Sequence, residues 1–325
     1  MAQEKIYPYA VARIRVLEKN LLSKQTLNQM AEEKEVENCL RTLTEYGYES
    51  VPEGNAREFE KVLSAELSNT YAIIRELVPE EKFINIFLYK NDYQNLKVLL
   101  KEEVSGIDGS KYIVRGGTEA VEKLKKAILE RNYIDLPEIM GNAISEALEL
   151  YSKTQSGQLI DIALDKGAFR QMTEAAKESK NQFAIGYIAR VCDLTNLKSF
   201  LRMRHMNKDF ATFMTVFVEG GNISSGVFFG AYGTDNPVEH FKATEYSQIF
   251  EDGYEKGFTE FEKLCDDFLM NYIKSAKYMA LTLEPLIAYL YAKEAEIKTV
   301  RIILTSKLNH ISSEIIKERV RETYV

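Results

Sequence analysis

The sequence predicts an all-α protein made of three similar helical bundles. Three observations carry this: a motif that recurs at near-constant spacing, a helix-favouring composition, and apolar residues at helical periodicity. The motif is centred on Asp193-Leu-Thr-Asn-Leu-Lys-Ser-Phe-Leu-Arg202, preceded by Asp92-Tyr-Gln-Asn-Leu-Lys-Val-Leu-Leu-Lys101 and followed by a more worn copy, Glu296-Ile-Lys-Thr-Val-Arg-Ile-Ile-Leu304. The acids are 101 and 103 residues apart, and so steady a period points to internal triplication.

Three further marks share this register. Glu58-Phe-Glu-Lys-Val-Leu63 returns as Glu260-Phe-Glu-Lys-Leu264, with Leu159-Ile-Asp-Ile-Ala-Leu164 between them. Thr44-Glu45-Tyr46 returns as Thr244-Glu245-Tyr246, and the turn at Gly116-Gly117 returns at Gly220-Gly221. The repeats are expected to span residues 1–112, 113–215 and 216–325, with room for the N- and C-terminal helices to pack together.

The 325 residues include only 6 Pro and 17 Gly, the two poorest helix formers. Hydrophobic content of 45% and charged content of 28% are those of a globular chain. A net charge of −7 argues against nucleic acid as a partner, because phosphate binding needs a basic excess. Cys39, Cys192 and Cys265 are odd in number and form no CxxC pair, which with no leader pattern predicts a reducing, cytoplasmic setting. The longest apolar stretch, Ala280 to Ala292, is broken by Glu284 and Pro285 and falls short of a membrane span.

In chain order, Ala10, Ile14, Leu17 and Leu21 make one stripe of a helix over 9–22. Ser23 is placed to cap a second helix from about Gln25, and 35–46 reads as a third. Residues 47–55, with Pro52 and Gly54, read as a loop. A long helix over 56–77 meets Val78-Pro79, and Pro79 is read as opening the next helix, which runs to about Val104. The third repeat uses the same device, 258–279 and then 281–308, with Pro285 near the second start. Helix, proline break and helix read as an αα-hairpin. Tyr112–Val114 and Val216–Val218 read as short extended pieces before the Gly-Gly turns, and Thr118-Glu119 and Ser225 as caps of the helices beyond.

Within the motif, Asp92, Asn95, Leu96 and Leu99 share one helix face. Polar groups on an apolar stripe need partners, so Asp92 and Asn95, Asp193 and Asn196, and Glu296 and Thr299 are expected to form an interhelical network that fixes each bundle. The competing reading lines a partner-binding surface with them, but an active site rarely needs three copies. Lys198, Arg202, Arg204, His205 and Lys208 form a basic run, and Lys298, Arg301, Lys307, Lys317, Arg319 and Arg321 a second basic area. Such cations complement helix C-termini and cover apolar surface with their stems. Alternatively Lys198, Arg202, Arg204, Lys208 and Arg301 dock on an acidic protein surface or on headgroups.

The sequence offers no active site. No phosphate-binding Gly-rich loop, HExxH or GxSxG pattern is present, and His205, His240 and His310 share no ligand spacing. No cofactor and no metal are expected.

The opening Tyr9-Ala-Val-Ala-Arg-Ile-Arg-Val-Leu-Glu-Lys-Asn-Leu-Leu22, together with Leu88-Tyr-Lys-Asn-Asp-Tyr-Gln-Asn-Leu-Lys-Val-Leu-Leu100, the Gly-Gly turn, Asp193–Lys198 and Leu290-Tyr-Ala-Lys-Glu-Ala-Glu-Ile-Lys298, resembles the C subunit of V-type (A/V-type) ATPases, the counterpart of the d subunit of the eukaryotic V-ATPase. The likeness covers essentially the whole chain. It implies three similar helical domains in a pseudo-threefold funnel, a non-catalytic component of the central stalk, and a single copy in the complex, peripheral at the inner face of the cell membrane. The implied partners are the central axle subunits and the membrane rotor ring, with torque passed between ATP turnover and proton or sodium transport. The family has no catalytic residues to carry over. Thr299, where the other copies have Asn95 and Asn196, departs from the pattern. The competing account is a soluble helical-repeat scaffold.

Overall fold

A computed structural model describes residues 7–50, 58–78 and 80–325. It is 76% helical, and no strand occurs among the described residues. The chain divides into two compact units, Met1–Pro79 with Thr259–Val325, and Glu80–Phe258. The Pro79 reading and most of the 47–55 loop lie outside the described residues.

The first unit joins the two ends of the chain. It holds α1 (Pro8–Leu17), α2 (Lys24–Glu32), α3 (Val36–Glu45) and α4 (Phe59–Leu77), and later α14 (Phe258–Lys274, whose first residue belongs to the other unit), α15 (Glu284–Leu308) and α16 (Ser313–Glu318). The expected stripe is buried at Ala10 and Ile14, but α1 stops at Leu17. A 3₁₀ turn follows over Glu18–Asn20, and Leu21 is extended. Ser23 caps α2 as its position suggests, its hydroxyl accepting the Thr26 N–H at 3.1 Å. Pro285 sits in the first turn of α15, where a missing N–H breaks no bond.

Helix α15 is the spine of this unit. It packs most extensively along α4, and also on α1, α2, α3 and α16. One apolar core unites Leu22, Leu27, Met30, Cys39, Leu43 and Leu63 from the front of the chain with Ile297, Val300, Ile303, Leu304, Ile316 and Val320 from its end. Burial pushes the Cys39 thiol up to about 11, so it is a core side chain and not a nucleophile.

The second unit contains α5 (Glu81–Ser105), α6 (Val121–Glu130), α7 (Glu138–Thr154), α8 (Gly157–Ser179), α9 (Gln182–His205), α10 (Phe210–Val216), α11 (Ser225–Tyr232), α12 (Val238–Phe241) and α13 (Ser247–Lys256). Helix α8 is central and is flanked by α5, α7 and α9. Gly106, at φ 71°, ends α5 in the left-handed region and returns its N–H to Glu102 O at 2.8 Å. Beyond α9 the core is aromatic: the Phe200 ring has Phe213, Phe228, Tyr232, Phe241 and Phe250 around it at centroid distances of 5.0 to 6.1 Å. Such pairs add about 0.5–1.5 kcal/mol each beyond their burial.

Tyr112–Val114 and Val216–Val218 are not strands. Ser110–Tyr112 is a 3₁₀ turn, and Val216 ends α10. Ile113 and Phe217 are extended, yet the backbone beside them is engaged by side chains of α5 and α9 and not by another strand.

Candidate functional site

The motif helices α5, α9 and α15 carry the expected polar groups inward. Asp92, Asn95, Asp193, Asn196, Glu296 and Thr299 are all buried, and what they grip is backbone. Asp92 Oδ2 accepts the Thr118 N–H and hydroxyl, both at 2.8 Å, and Oδ1 accepts the Glu119 N–H at 3.0 Å. Asn95 makes a two-way clamp on Val114: its Nδ2 donates to Val114 O at 2.9 Å, and its Oδ1 accepts the Val114 N–H at 2.8 Å.

The second copy repeats this geometry. Asp193 accepts the Asn222 and Ile223 N–H groups, each at 2.9 Å, and the Tyr246 hydroxyl at 3.0 Å. Asn196 clamps Val218 at 2.8 and 2.9 Å. The register is therefore acid to turn, asparagine to the residue five positions before the last acid-bound amide.

This explains the Gly-Gly turns. A Cβ on Gly117 would overlap Asp92 Oδ1, and one on Gly221 would overlap Asp193 Oδ1. Only glycine lets the turn backbone come close enough for its amides to meet the carboxylate. Gly220 also adopts φ 107°, a region L-residues avoid. Thr118 and Glu119 are thus held by Asp92 and do not cap α6, whose N-cap is Ala120; Ser224, not Ser225, occupies the N-cap of α11.

Burial pushes the carboxyls of Asp92 and Asp193 above the ordinary aspartate value, against the downward pull of the amides they accept. The Tyr246 hydroxyl is pushed up by burial and then by the neighbouring carboxylate of Asp193. These groups are fully engaged, which is the signature of structural clamps.

Glu296 is engaged differently. It accepts the Leu22 N–H, the Tyr48 hydroxyl at 2.6 Å, and the Lys293 ammonium at 2.8 Å. Lys293 is only 1% exposed and also lies 3.2 Å from Glu66. Burial pulls the Lys293 ammonium down, but Glu296, Tyr289 and Glu66 together hold it above the ordinary lysine value. Thr299 turns back on its own helix, its hydroxyl donating to Ala295 O at 3.0 Å.

The basic residues divide by their partners. Arg204 donates to Ala231 O and Thr234 O at 2.6 and 3.1 Å, holding carbonyls at the end of α11. The Arg202 guanidinium lies 4.8 Å from the Phe258 ring centre. Arg301, on α15 in the other unit, forks onto Glu60 at 2.6 to 3.1 Å. Lys198 is half-buried on α9, and Lys208 is exposed beyond its end.

A groove of about 650 Å³ lies beside α7, α8 and the 214–220 turn, with Glu146, Lys166, Arg170, Glu174 and Lys177 around it. Its charges alternate, and Lys166 is spent on Met214 O at 3.2 Å. Among the described residues no group of three His, Cys, Asp or Glu side chains converges as a metal would need, and no helix is long and apolar enough to cross a membrane.

Sequence reasoning missed Lys293, Tyr48 and the acid-to-glycine contact. The signal for the last was present, since both Gly-Gly turns follow their acids at nearly the same interval. The repeated Thr-Glu-Tyr was a partial signal: Tyr246 reaches Asp193, whereas Tyr46 meets Thr26 at 3.1 Å and Tyr48 takes the carboxylate.

Among the described residues, which are helical and without a strand, the buried carboxylates of the three motif copies hold the chain's own backbone. The model of the ATP synthase (C/AC39) subunit matches residues 10–319, and the chain belongs to that family. It is 28% identical over 319 residues to the C subunit of the V-type sodium ATPase of Enterococcus hirae, covering 96% of this chain and 97% of that one. It is 23% identical over 334 residues to the C subunit of the A-type ATP synthase of a Desulfurococcus species, covering 97% and 91%. The match to the C subunit of the A-type ATP synthase of Methanocaldococcus jannaschii is 24% over 342 residues, covering 96% and 85%. Membership makes this chain an accessory subunit of a V/A-type ATPase and not the catalytic one.

Proposed function

We propose that this chain is the central-stalk socket of a V-type rotary ATPase, joining the axle subunits to the membrane rotor ring and transmitting torque for proton or sodium transport. The observation that carries the reading is the family match across residues 10–319, joined by relatives that bear the C-subunit name and align over nearly their whole lengths. In this reading the chain is a single peripheral copy at the cytoplasmic face of the membrane, its three repeats forming the funnel that the resemblance implies.

The physical chemistry supports the role. A torque adaptor must be stiff, and here the turns that hand the chain from helix to helix are tied to helix interiors by buried carboxylates. Coupling of that kind removes local openings of low free energy. Docking on a ring of different symmetry favours dispersed charge over one-to-one pairing. Lys198 and Lys208 suit such a face better than Arg202, Arg204 and Arg301, whose guanidinium groups already engage other elements of the fold.

The test is reconstitution: detergent-solubilised rotor ring and purified axle subunits are run with and without this protein on a sizing column. Ring and axle are expected to co-elute only in its presence, and Lys198→Glu with Lys208→Glu is expected to weaken retention most at low salt. A protein that binds neither ring nor axle would sink the proposal and leave the soluble scaffold as the better account.

A further inference from the structure

We infer that Leu22–Tyr48, near the front of the chain, is the turn-and-helix module of the third repeat, strapped onto α15 by Glu296. The first two repeats define the module. In each, the last amide bound by the acid is followed by one N-cap residue and then a helix: Glu119, Ala120 and α6 in the first, Ile223, Ser224 and α11 in the second. At Glu296 the amide is Leu22, the N-cap is Ser23, and the helix is α2. A tyrosine from further along completes the second and third sites, Tyr246 on Asp193 and Tyr48 on Glu296.

Residues at the in-line spacing after Glu296 do not fill this place. The interval from acid to amide in the first two repeats points from Glu296 to Glu322 and beyond, yet the Glu322 N–H goes to Asp267 Oδ1 at 2.6 Å. Helix packing is alike at two of the motif helices: α5 packs along α8, the helix that carries Leu159–Leu164, and α15 packs along α4, the helix that carries Phe59–Leu63.

The assignment also accounts for the two departures of the third copy. Asn95 and Asn196 clamp the residue five positions before the bound amide, Val114 and Val218. Five before Leu22 is Leu17, still inside α1, where the helix ladder already engages the backbone N–H. An asparagine would have nothing to clamp, and Thr299 stands there. The Gly-Gly pair is replaced by Lys19-Asn20 because glutamate, one methylene longer than aspartate, reaches an amide from further back.

The module is therefore a strap whose opening is set by Glu296, and its opening would uncover Leu27, Met30 and Leu43 together with Val300, Ile303 and Leu304. Hydrogen exchange on the full chain tests this. In Glu296→Ala the amides of Leu22, α2 and α3 are expected to exchange about tenfold faster or more, while the Thr118, Asn222 and Ile223 amides keep their rates. Tyr48→Phe, which keeps the carboxylate, is expected to give a smaller acceleration in the same segments and serves if the first variant does not fold.

A permuted chain that starts at Glu58 and runs through Val325, a flexible linker of about ten residues and then Tyr7–Ser50 is expected to protect the Leu22 amide as the parent does. Unchanged exchange of Leu22, α2 and α3 in Glu296→Ala, acceleration spread evenly over both units in Tyr48→Phe, or an unprotected Leu22 in the permuted chain would each overturn the assignment.

Discussion

Asp193 and Glu296 occupy the same place in the recurring motif but solve different problems. Asp193 sits close beneath a glycine turn and is neutralised by dipoles alone, two amides and the Tyr246 hydroxyl. Glu296 has one amide and one hydroxyl, and makes up the difference with the buried ammonium of Lys293. The residue three before the acid shows how local the change is. In the second repeat it is Arg190, paired at 2.7 Å with Glu245 at a partly exposed position; in the third it is Lys293, almost wholly buried. A carboxylate given enough amides needs no counterion, and one with fewer must recruit a charge.

The comparison breaks first at Lys293. Lys293→Met is expected to destabilise the protein by about 3–5 kcal/mol, the cost of removing one partner of a buried ion pair, because Glu296 and Glu66 are left facing one another without the cation. Adding Glu296→Gln is expected to restore part of that loss, since the uncompensated charge goes with it. Urea unfolding of the parent, the single and the double variant measures both. If the single variant loses less than about 1 kcal/mol, within the range of an exposed pair, Lys293 is not what balances Glu296.

At Asp193 the weak point is the turn. Gly221→Ala places a methyl group where Asp193 Oδ1 lies, so either the carboxylate or the turn must give way, and two buried amides lose their acceptor. The expected loss is about 2–3 kcal/mol, the cost of unsatisfied buried donors, with Gly117→Ala behaving alike because Asp92 is placed in the same way. Gly157→Ala is the control: it lies in the first turn of α8 without a positive φ, and a Cβ there meets nothing within 4 Å, so the change is expected to be neutral or stabilising by up to about 1 kcal/mol. No greater loss at Gly221 than at Gly157 would mean that the added methyl group does not disturb the contact between Asp193 and the turn.

The sequence made the faces legible and left their targets hidden. Helical period placed Asp92, Asn95, Leu96 and Leu99 on one side of α5, all of them buried, and the Ser23 cap followed from chemistry within one turn. Period says nothing about what lies opposite, so the grip of Asp92 on an amide 27 residues away was invisible. The end of α1 was misplaced for the same reason: apolar spacing ran on to Leu21, but the Leu22 N–H is drawn to Glu296 across 274 residues. Lys293 lies in the charged run Lys293-Glu294-Ala295-Glu296, which resembles a solvated helix face, and only packing from α4 and the Tyr48 segment buries it. The extended pieces failed as strands because Asn95 and Asn196 supply the backbone bonds that a neighbouring strand would have supplied.

The smallest expected effect reads proton binding at Asp193. Burial raises the Asp193 carboxyl above its ordinary value, so the folded protein holds that proton more tightly than the unfolded chain does. Its contribution to stability is then greatest on the acid side and falls as pH climbs through the window that opens at the ordinary aspartate value and closes at the raised one. Asp193→Asn has no proton to release there. Stability measured by urea unfolding at steps from about pH 4 to about pH 7, bracketing the range above the ordinary aspartate value, is expected to show the difference, parent minus variant, shrinking as pH rises and then levelling. Lys293 runs in the same direction but in another range: its raised value keeps its contribution intact below the ordinary lysine range and loses it only at strongly alkaline pH. A difference for Asp193 that widens with pH would mean that the amides of Asn222 and Ile223 outweigh burial.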